Sequence, residues 1–279
     1  MLQPSQEQLA VLTPFERFAF GIADAMNRQR LLKRATHKFL KTVGMSWVHV
    51  STERLQRVRG LEHLRNLNPD RGVLFVGNHR SFFDMYVMSS VLLRNTDWVT
   101  KMFFPVRGDY FYERPDGIVV NALMSAWAMY PPVMRRPDAR VFNEYTVDLI
   151  SEMLKEPGVV AGMHPEGTRN KTDDPYTLLP AQIGVGQMVL RAKPIVIPFF
   201  VLGLLNDLPK QVSSNFTGDG EPITLTFGAP LAMDGFYAEP PRLRTYKRIA
   251  EHIRDVLTEL GADDRAFRAR EGLLDLSKR

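Results

Sequence analysis

The chain has 279 residues, 44% of them hydrophobic and 24% charged, which suffices for one substantial core and excludes a disordered chain. It holds no cysteine, so disulfides and thiolate zinc sites are excluded. A net charge of +5 and a pI near 9.4 favour anionic partners, and with no nucleic-acid-binding motif beside the basic residues, nucleic acid ranks last.

Met1 to Glu7 lacks the basic start and apolar segment of a secretory signal. Thr13-Pro14-Phe15-Glu16 predicts a helix start, with Thr13 as cap, Pro14 at the first helical position and Glu16 closing a capping box. Val11, Phe15, Phe18, Ile22 and Met26 then recur at helical spacing. Leu31 or Leu32, Ala35, Phe39 and Val43 continue the pattern in a second helix, which Gly44 can end. Between Asp24 and Glu53 no residue is acidic, while Arg28, Arg30, Lys33, Arg34, Lys38 and Lys41 are basic. Two readings stand for residues 1–48. Either the helices only cover the core, or they dock on a membrane with apolar faces in the acyl boundary and cations on anionic headgroups.

From Trp47 the texture changes. Arg57-Val58-Arg59 predicts a strand end, Val73 to Val76 a buried strand, Phe82 to Leu93 a helix and Trp98-Val99-Thr100 a short strand. Arg107 to Gly117 reads as a loop, Ile118 to Tyr130 as a helix, Val133-Met134 as a strand and Ala139 to Lys155 as a helix. Val159 to Gly162 is a strand, Gly184 to Arg191 a helix, and Pro194 to Leu202 and Pro222 to Phe227 strands. Pro241 to Leu260 closes the core as a helix, and the polar tail after Gly261 is expected to be peripheral. The longest apolar run, Pro194 to Leu205, is well short of the ~20 residues a spanning helix needs. Strands alternating with helices imply an α/β layered fold, a mostly parallel or mixed sheet flanked by helices, over residues 49–279.

Two strand exits carry chemistry. Gly77-Asn78-His79-Arg80-Ser81-Phe82-Phe83-Asp84 follows one apolar run, and in such folds ligands gather at the carboxyl ends of strands. Asp84, about one helical turn past His79, can bend back to an imidazole nitrogen, fix its tautomer and stabilise the imidazolium formed on proton uptake. The free nitrogen could then deprotonate a hydroxyl. The plainer reading makes His79 a helix cap and Asp84 a dipole partner. Met163-His164-Pro165-Glu166-Gly167-Thr168-Arg169 follows the second run. Gly167 admits close backbone approach, Arg169 can fork onto a phosphate, Thr168 adds a hydroxyl donor, and Glu166 orients the turn or an arginine. The six histidines include no pair with the spacing of a helical zinc site, so no metal is expected and His164 reads as structural. Ser81 lacks a Gly-x-Ser-x-Gly elbow and is no nucleophile candidate.

Taken together, Asn78, His79 and Asp84 as Asn-His-x-x-x-x-Asp, and Pro165 to Arg169 as Pro-Glu-Gly-Thr-Arg, resemble the glycerolipid acyltransferase family that includes the 1-acylglycerol-3-phosphate acyltransferases. Ile195-Val196-Ile197-Pro198-Phe199 fits its fourth block, and the likeness runs from about Arg57 to Leu231. The chain departs at the second block: Tyr130 to Arg136 lacks the usual aspartate, with Arg136 the better match for its arginine and Arg135 the alternative. His164 stands where the third block usually opens on another aromatic residue.

The resemblance implies an O-acyltransferase. His79 would be the base and Asp84 its orienter, while Asn78, Lys101, Arg136, Glu166, Gly167, Thr168 and Arg169 would bind substrate. The implied donor is a fatty acyl thioester on coenzyme A or acyl carrier protein. The implied acceptor is the lyso-phospholipid 1-acylglycerol 3-phosphate, giving phosphatidic acid, and no cofactor is needed. The alternatives are acylation of glycerol 3-phosphate or another lyso-lipid, or a non-catalytic lipid-binding protein. The implied location is peripheral, on the cytoplasmic face of an anionic membrane, through the N-terminal helices.

Overall fold

The apolar runs become strands buried on both faces, the pattern of a sheet covered by helices on each side. The computed structural model describes residues 1–273; the end of the tail after Gly261, residues 274–279, lies outside the described residues. The strands are β1 (Gln56–Arg59), β2 (Val73–Gly77), β3 (Lys101–Phe103), β4 (Val106–Arg107), β5 (Pro132–Val133), β6 (Val159–Met163), β7 (Ile195–Leu202) and β8 (Ile223–Phe227). Six form one sheet in the order β1-β8-β7-β2-β6-β3, all neighbours parallel except the antiparallel pair β7-β8. β4 and β5 pair separately. The α/β expectation therefore holds, with β2 at the centre between β7 and β6.

Several elements differ from expectation, each for a physical reason. The strand expected at Trp98-Val99-Thr100 begins three residues later, because its partner β6 starts only at Val159, opposite Lys101. The helix expected to reach Tyr130 ends at Ser125. Ala126 and Trp127 take positive φ of 48° and 65°, a conformation costly for residues with a Cβ. Buried Asn121 holds that turn by bonding both the N–H and the carbonyl of Met129. The final helix, Leu243–Arg270, runs straight through Gly261, where a Cβ would lie only 3.0 Å from the Phe200 ring. Its last turns are not peripheral: Arg268 and Asp264 are buried, and Arg268 reaches Thr224 of β8.

At the N-terminus, Thr13 and Glu16 form the expected capping box on the Pro14–Arg28 helix. That helix covers the core. Phe20 is buried and meets Phe142 edge-on at 5.2 Å, with Tyr130 and Tyr145 close by. The second helix, Arg30–Phe39, does not stop at Gly44 but continues through a π-helical turn, Leu40–Gly44, into Met45–Val50. Its apolar stripe faces outward: Leu31 is 78% exposed, Val43 53% and Phe39 41%. The Pro115–Ser125 helix packs beside the π-helical turn and adds exposed Val119 and Leu123. Lys33 departs from the basic set. It is buried, donating to Asn27 Oδ1 at 2.7 Å and the Met102 carbonyl at 2.9 Å, with the Phe103 ring beneath it. Burial, with Lys101 adding repulsion, pulls its ammonium down to about 7. No helix among the described residues is long and apolar enough to cross a membrane.

Candidate active site

Register builds the site. β2 and β6 lie side by side with Val76 opposite Met163, so the chain leaves both strands at the same edge. His79 and His164 thus emerge from adjacent strands at their carboxyl ends, where open α/β sheets bind ligands. Asp84 opens the Asp84–Asn95 helix and is 1% exposed. Its Oδ2 accepts from the backbone N–H of Arg80 and of Ser81, each at 2.8 Å, and lies 3.1 Å from His79 Nδ1.

Burial pushes the Asp84 carboxyl up to about 6, against the pull of His164 and of the Ser81 and Arg80 N–H groups. It is therefore ionised at neutral pH and can only accept. Nδ1 of His79 must then carry the proton, which leaves Nε2 with its lone pair. Burial, reinforced by the positive charges of Arg169 and Arg107, brings His79 down to about 4, so the ring rests neutral, in the form a base requires. Its side chain keeps 20% of its surface open, and it lines a cleft of about 930 Å³.

Glu166 braces this arrangement from behind. Only 4% exposed, its carboxylate accepts from the His79 N–H at 2.9 Å, the Leu179 N–H at 2.8 Å and Asn170 Nδ2 at 3.0 Å. It fixes the backbone of His79 and also borders the cleft. Burial raises its carboxyl, opposed by those N–H bonds. Asn170 completes the brace by donating its N–H to the His79 carbonyl at 2.7 Å. The motif signal could have been extended one residue to include it.

The cleft has two characters. Phe82, Met85, Tyr86, Phe104, Phe111 and Met129 give an aromatic and thioether wall. The rim carries Arg107, Arg135, Arg140, Arg169, Lys171 and Arg191. Arg107, Arg140 and Arg191 pair with Asp109, Glu144 and Asp148. Among the described residues, no carboxylate pairs with Arg135, Arg169 or Lys171. Gly167 takes φ +67°, which carries the turn past the cleft with Thr168 and Arg169 on its lining. Arg169 donates to Asn206 Oδ1 at 2.9 Å, and Arg135 to the Gly167 carbonyl at 3.2 Å.

Three expected site residues lie elsewhere in the arrangement. Asn78 is fully buried, its amide giving to and taking from the Val201 backbone at 2.8 Å, so it ties the end of β2 to β7. Lys101 starts β3 at the amino edge of the sheet and pairs with Glu156, far from the strand ends that carry His79 and His164. Arg136 is turned away from the cleft. It grips Glu16 with both terminal guanidinium nitrogens and also reaches the Val11 carbonyl, so Arg135 is the arginine of this segment that lines the cleft. Sequence reasoning missed Arg107 and most of the aromatic wall, since only the fold brings these segments to one edge, and Lys171, two residues past Arg169 on the same segment.

His79, Asp84 and His164 bring three potential metal-ligand atoms within 4.8 Å of one another. The two imidazoles are stacked, 3.9 Å between centroids and 3° between planes. A ring nitrogen offers its lone pair in the ring plane, and two parallel planes share no point at which one ion could sit. With Asp84 already holding Nδ1 of His79, the group fits a base and its orienter and not a chelate.

The solved crystal structure of the 1-acyl-sn-glycerophosphate (LPA) acyltransferase PlsC from Thermotoga maritima is similar in fold. The TM-score is 0.55 over 89% of this chain and 88% of that one, at 16% identity. No curated protein matches the chain. The family model described as Acyltransferase matches residues 56–202, more than half of the chain, from β1 through β7 and across both His79 and Glu166. On that match, the chain belongs to the acyltransferase family and is an acyltransferase.

Proposed function

We propose that this enzyme moves a fatty acyl chain from a thioester to the free hydroxyl of 1-acylglycerol 3-phosphate, giving phosphatidic acid. One observation carries the reading. A neutral His79, oriented by ionised Asp84, lies in a cleft with an apolar wall on one side and, on the other, cations that no carboxylate among the described residues pairs with. Such a cleft suits an amphiphile that ends in a phosphate.

In this mechanism Nε2 of His79 takes the proton of the acceptor hydroxyl as its oxygen attacks the thioester carbonyl. Asp84 steadies the imidazolium that forms. The tetrahedral intermediate collapses, the C–S bond breaks, and the leaving thiolate takes the proton back from His79. The ester forms without a covalent enzyme intermediate. Arg135 and Arg169 hold the acceptor phosphate by charge-assisted bonds, with Thr168 adding a hydroxyl and Lys171 a further charge. The donor is acyl-coenzyme A or acyl carrier protein.

The same reading has the enzyme work at an anionic membrane surface. Supporting it, the outward stripe of Leu31, Phe39 and Val43 adjoins Val119 and Leu123, and exposed Arg30, Arg34, Lys38 and Lys41 lie along the same helical segment. The test is an assay of the purified protein with 1-acylglycerol 3-phosphate, glycerol 3-phosphate and lysophosphatidylcholine, each with both donors, and product identified by mass spectrometry. Phosphatidic acid as the dominant product is expected. Preference for an acceptor without phosphate monoester would overturn the assignment.

A further inference from the structure

We propose that His164 is a positioning residue for His79: its imidazole, laid flat against that of His79, holds the ring in the plane where Nδ1 meets Asp84 and Nε2 is left for the cleft. This rests on the acyl-transfer reading for its consequence, but its geometric content is independent of any substrate.

The second torsion of a histidine has a broad, soft profile, so one hydrogen bond leaves the ring free to rock. A rock of His79 would break the 3.1 Å contact with Asp84 and blur which nitrogen carries the proton. The stacked ring, at 3.9 Å and 3°, opposes that motion over the whole face of the imidazole. His164 is itself fixed. Its Nδ1 lies 3.0 Å from the Gly77 carbonyl, which can only accept, so Nδ1 carries a proton. Phe199 meets His164 edge-on at 6.3 Å. Gly77 belongs to β2, the strand that delivers His79, and Val76 pairs with Met163 just before His164. Clamp and clamped ring are thereby referenced to the same strand end.

Charge favours the same assignment. The groups facing this pair are Asp84, Arg169 and Arg107, together with the two imidazoles themselves. Burial and the neighbouring His79 hold His164 down to about 3, against the pull of Asp84. His164 therefore stays uncharged while His79 takes up a proton. A second cation in that place would oppose the imidazolium, whereas a neutral ring presents its face to it.

Two variants separate the stack from the Gly77 hydrogen bond. His164→Phe keeps a flat ring and loses the donor; His164→Asn keeps a donor and loses the ring. Ring 15N NMR reads the tautomer of His79, and steady-state kinetics reads kcat and acceptor KM. We expect His164→Phe to keep His79 in one Nδ1–H form with kcat within about threefold of wild type. We expect His164→Asn to mix the tautomers and to lose roughly 10–100-fold in kcat with little change in acceptor KM, the signature of misplaced chemistry. Should His164→Asn fail to fold, His164→Leu removes the ring in its place. An unchanged His79 tautomer and kcat in the ringless variant, or equal damage from Phe and Asn, would overturn the proposal. If wild type acylates no tested acceptor, the functional reading fails, while the ring resonances still decide the positioning.

Discussion

Arg135 and Arg136 are adjacent in sequence yet serve different parts of the molecule. Arg135 donates to the Gly167 carbonyl in the cleft, while Arg136 is bound to buried Glu16 on the Pro14–Arg28 helix. A charge that reaches the cleft and one that anchors a helix should fail differently when removed.

Arg135→Ala and Arg169→Ala should each raise the acceptor KM by roughly 10–100-fold with the donor KM little changed, the scale of a lost charge-assisted phosphate contact worth ~1.5–3 kcal/mol. Arg136→Ala should instead lower the melting temperature by several degrees, because Glu16 is left buried without its partner, a loss of ~1–3 kcal/mol. Kinetics beside melting curves checks both. A rise in acceptor KM for Arg136→Ala with unchanged melting would reverse the assignment.

Activity requires Asp84 ionised and His79 neutral. His79 and Asp84 touch, so they titrate as one pair, and as pH falls the first proton the pair takes up removes the active form whichever group holds it. Burial raises the carboxyl and lowers the imidazole, so the rate should be level at neutral pH and decline in an acid limb. In Asp84→Asn that limb should shift and most of the activity should be lost. A wild-type rate that keeps rising well above neutrality would contradict this account.

Stability should fall in the same acid window. His37, His79 and His164 are half-buried, and desolvation holds them below their ordinary value of 6.5, to about 4, 4 and 3. Above 6.5 neither the folded nor the unfolded chain protonates them, and their contribution is intact. Below it the unfolded chain takes protons that the fold excludes, so stability is lost as pH falls toward 4. Asp84 acts oppositely, since its raised carboxyl makes the fold bind a proton sooner, but one carboxyl offsets only part of three histidines. Calorimetric melting across this range should show the decline, and a flat profile would oppose it.

The basic helix should divide into one structural and four surface cations. Lys33→Ala leaves Asn27 Oδ1 and the Met102 carbonyl without their donor and should cost ~1–3 kcal/mol of stability. Neutralising Arg30, Arg34, Lys38 and Lys41 should spare the melting temperature and weaken binding to anionic vesicles by ~1 kcal/mol per residue. Added salt should mimic that loss, since exposed charges are screened over ~10 Å at 0.1 M. Vesicle co-sedimentation indifferent to salt and lipid charge would rule out the electrostatic dock.

The sheet was readable because β2, β6 and β7 are apolar runs closed off by glycine or proline and β8 is a β-rich alternation of apolar residues with threonine, and the Pro14–Arg28 helix because its capping box is local. His79 and Asp84 were readable because both sit on one strand-to-helix turn. What depends on distant pairing was not. Lys33 reads as one cation in a basic run until Asn27 and Met102 are seen to enclose it. Arg136 reads as a phosphate ligand until Glu16, from another helix, is found on it. The last turns of the closing helix look polar because Arg268 finds its partners on β8, which no local pattern encodes. The Leu208–Thr217 helix escaped notice although Asp207 caps it and a proline stands in its first turn.

The most direct test of the account is acyl transfer by His79→Ala. Its melting curve should stay close to wild type, since the imidazole is partly exposed and the brace from Glu166 reaches only the backbone at this position. Phosphatidic acid formation, followed by mass spectrometry with 1-acylglycerol 3-phosphate as acceptor, should fall by roughly 10²–10⁴-fold, the scale of a lost general base. A folded His79→Ala enzyme that turns over within a few-fold of wild type would contradict the central claim that His79, oriented by Asp84, takes the proton of the attacking hydroxyl.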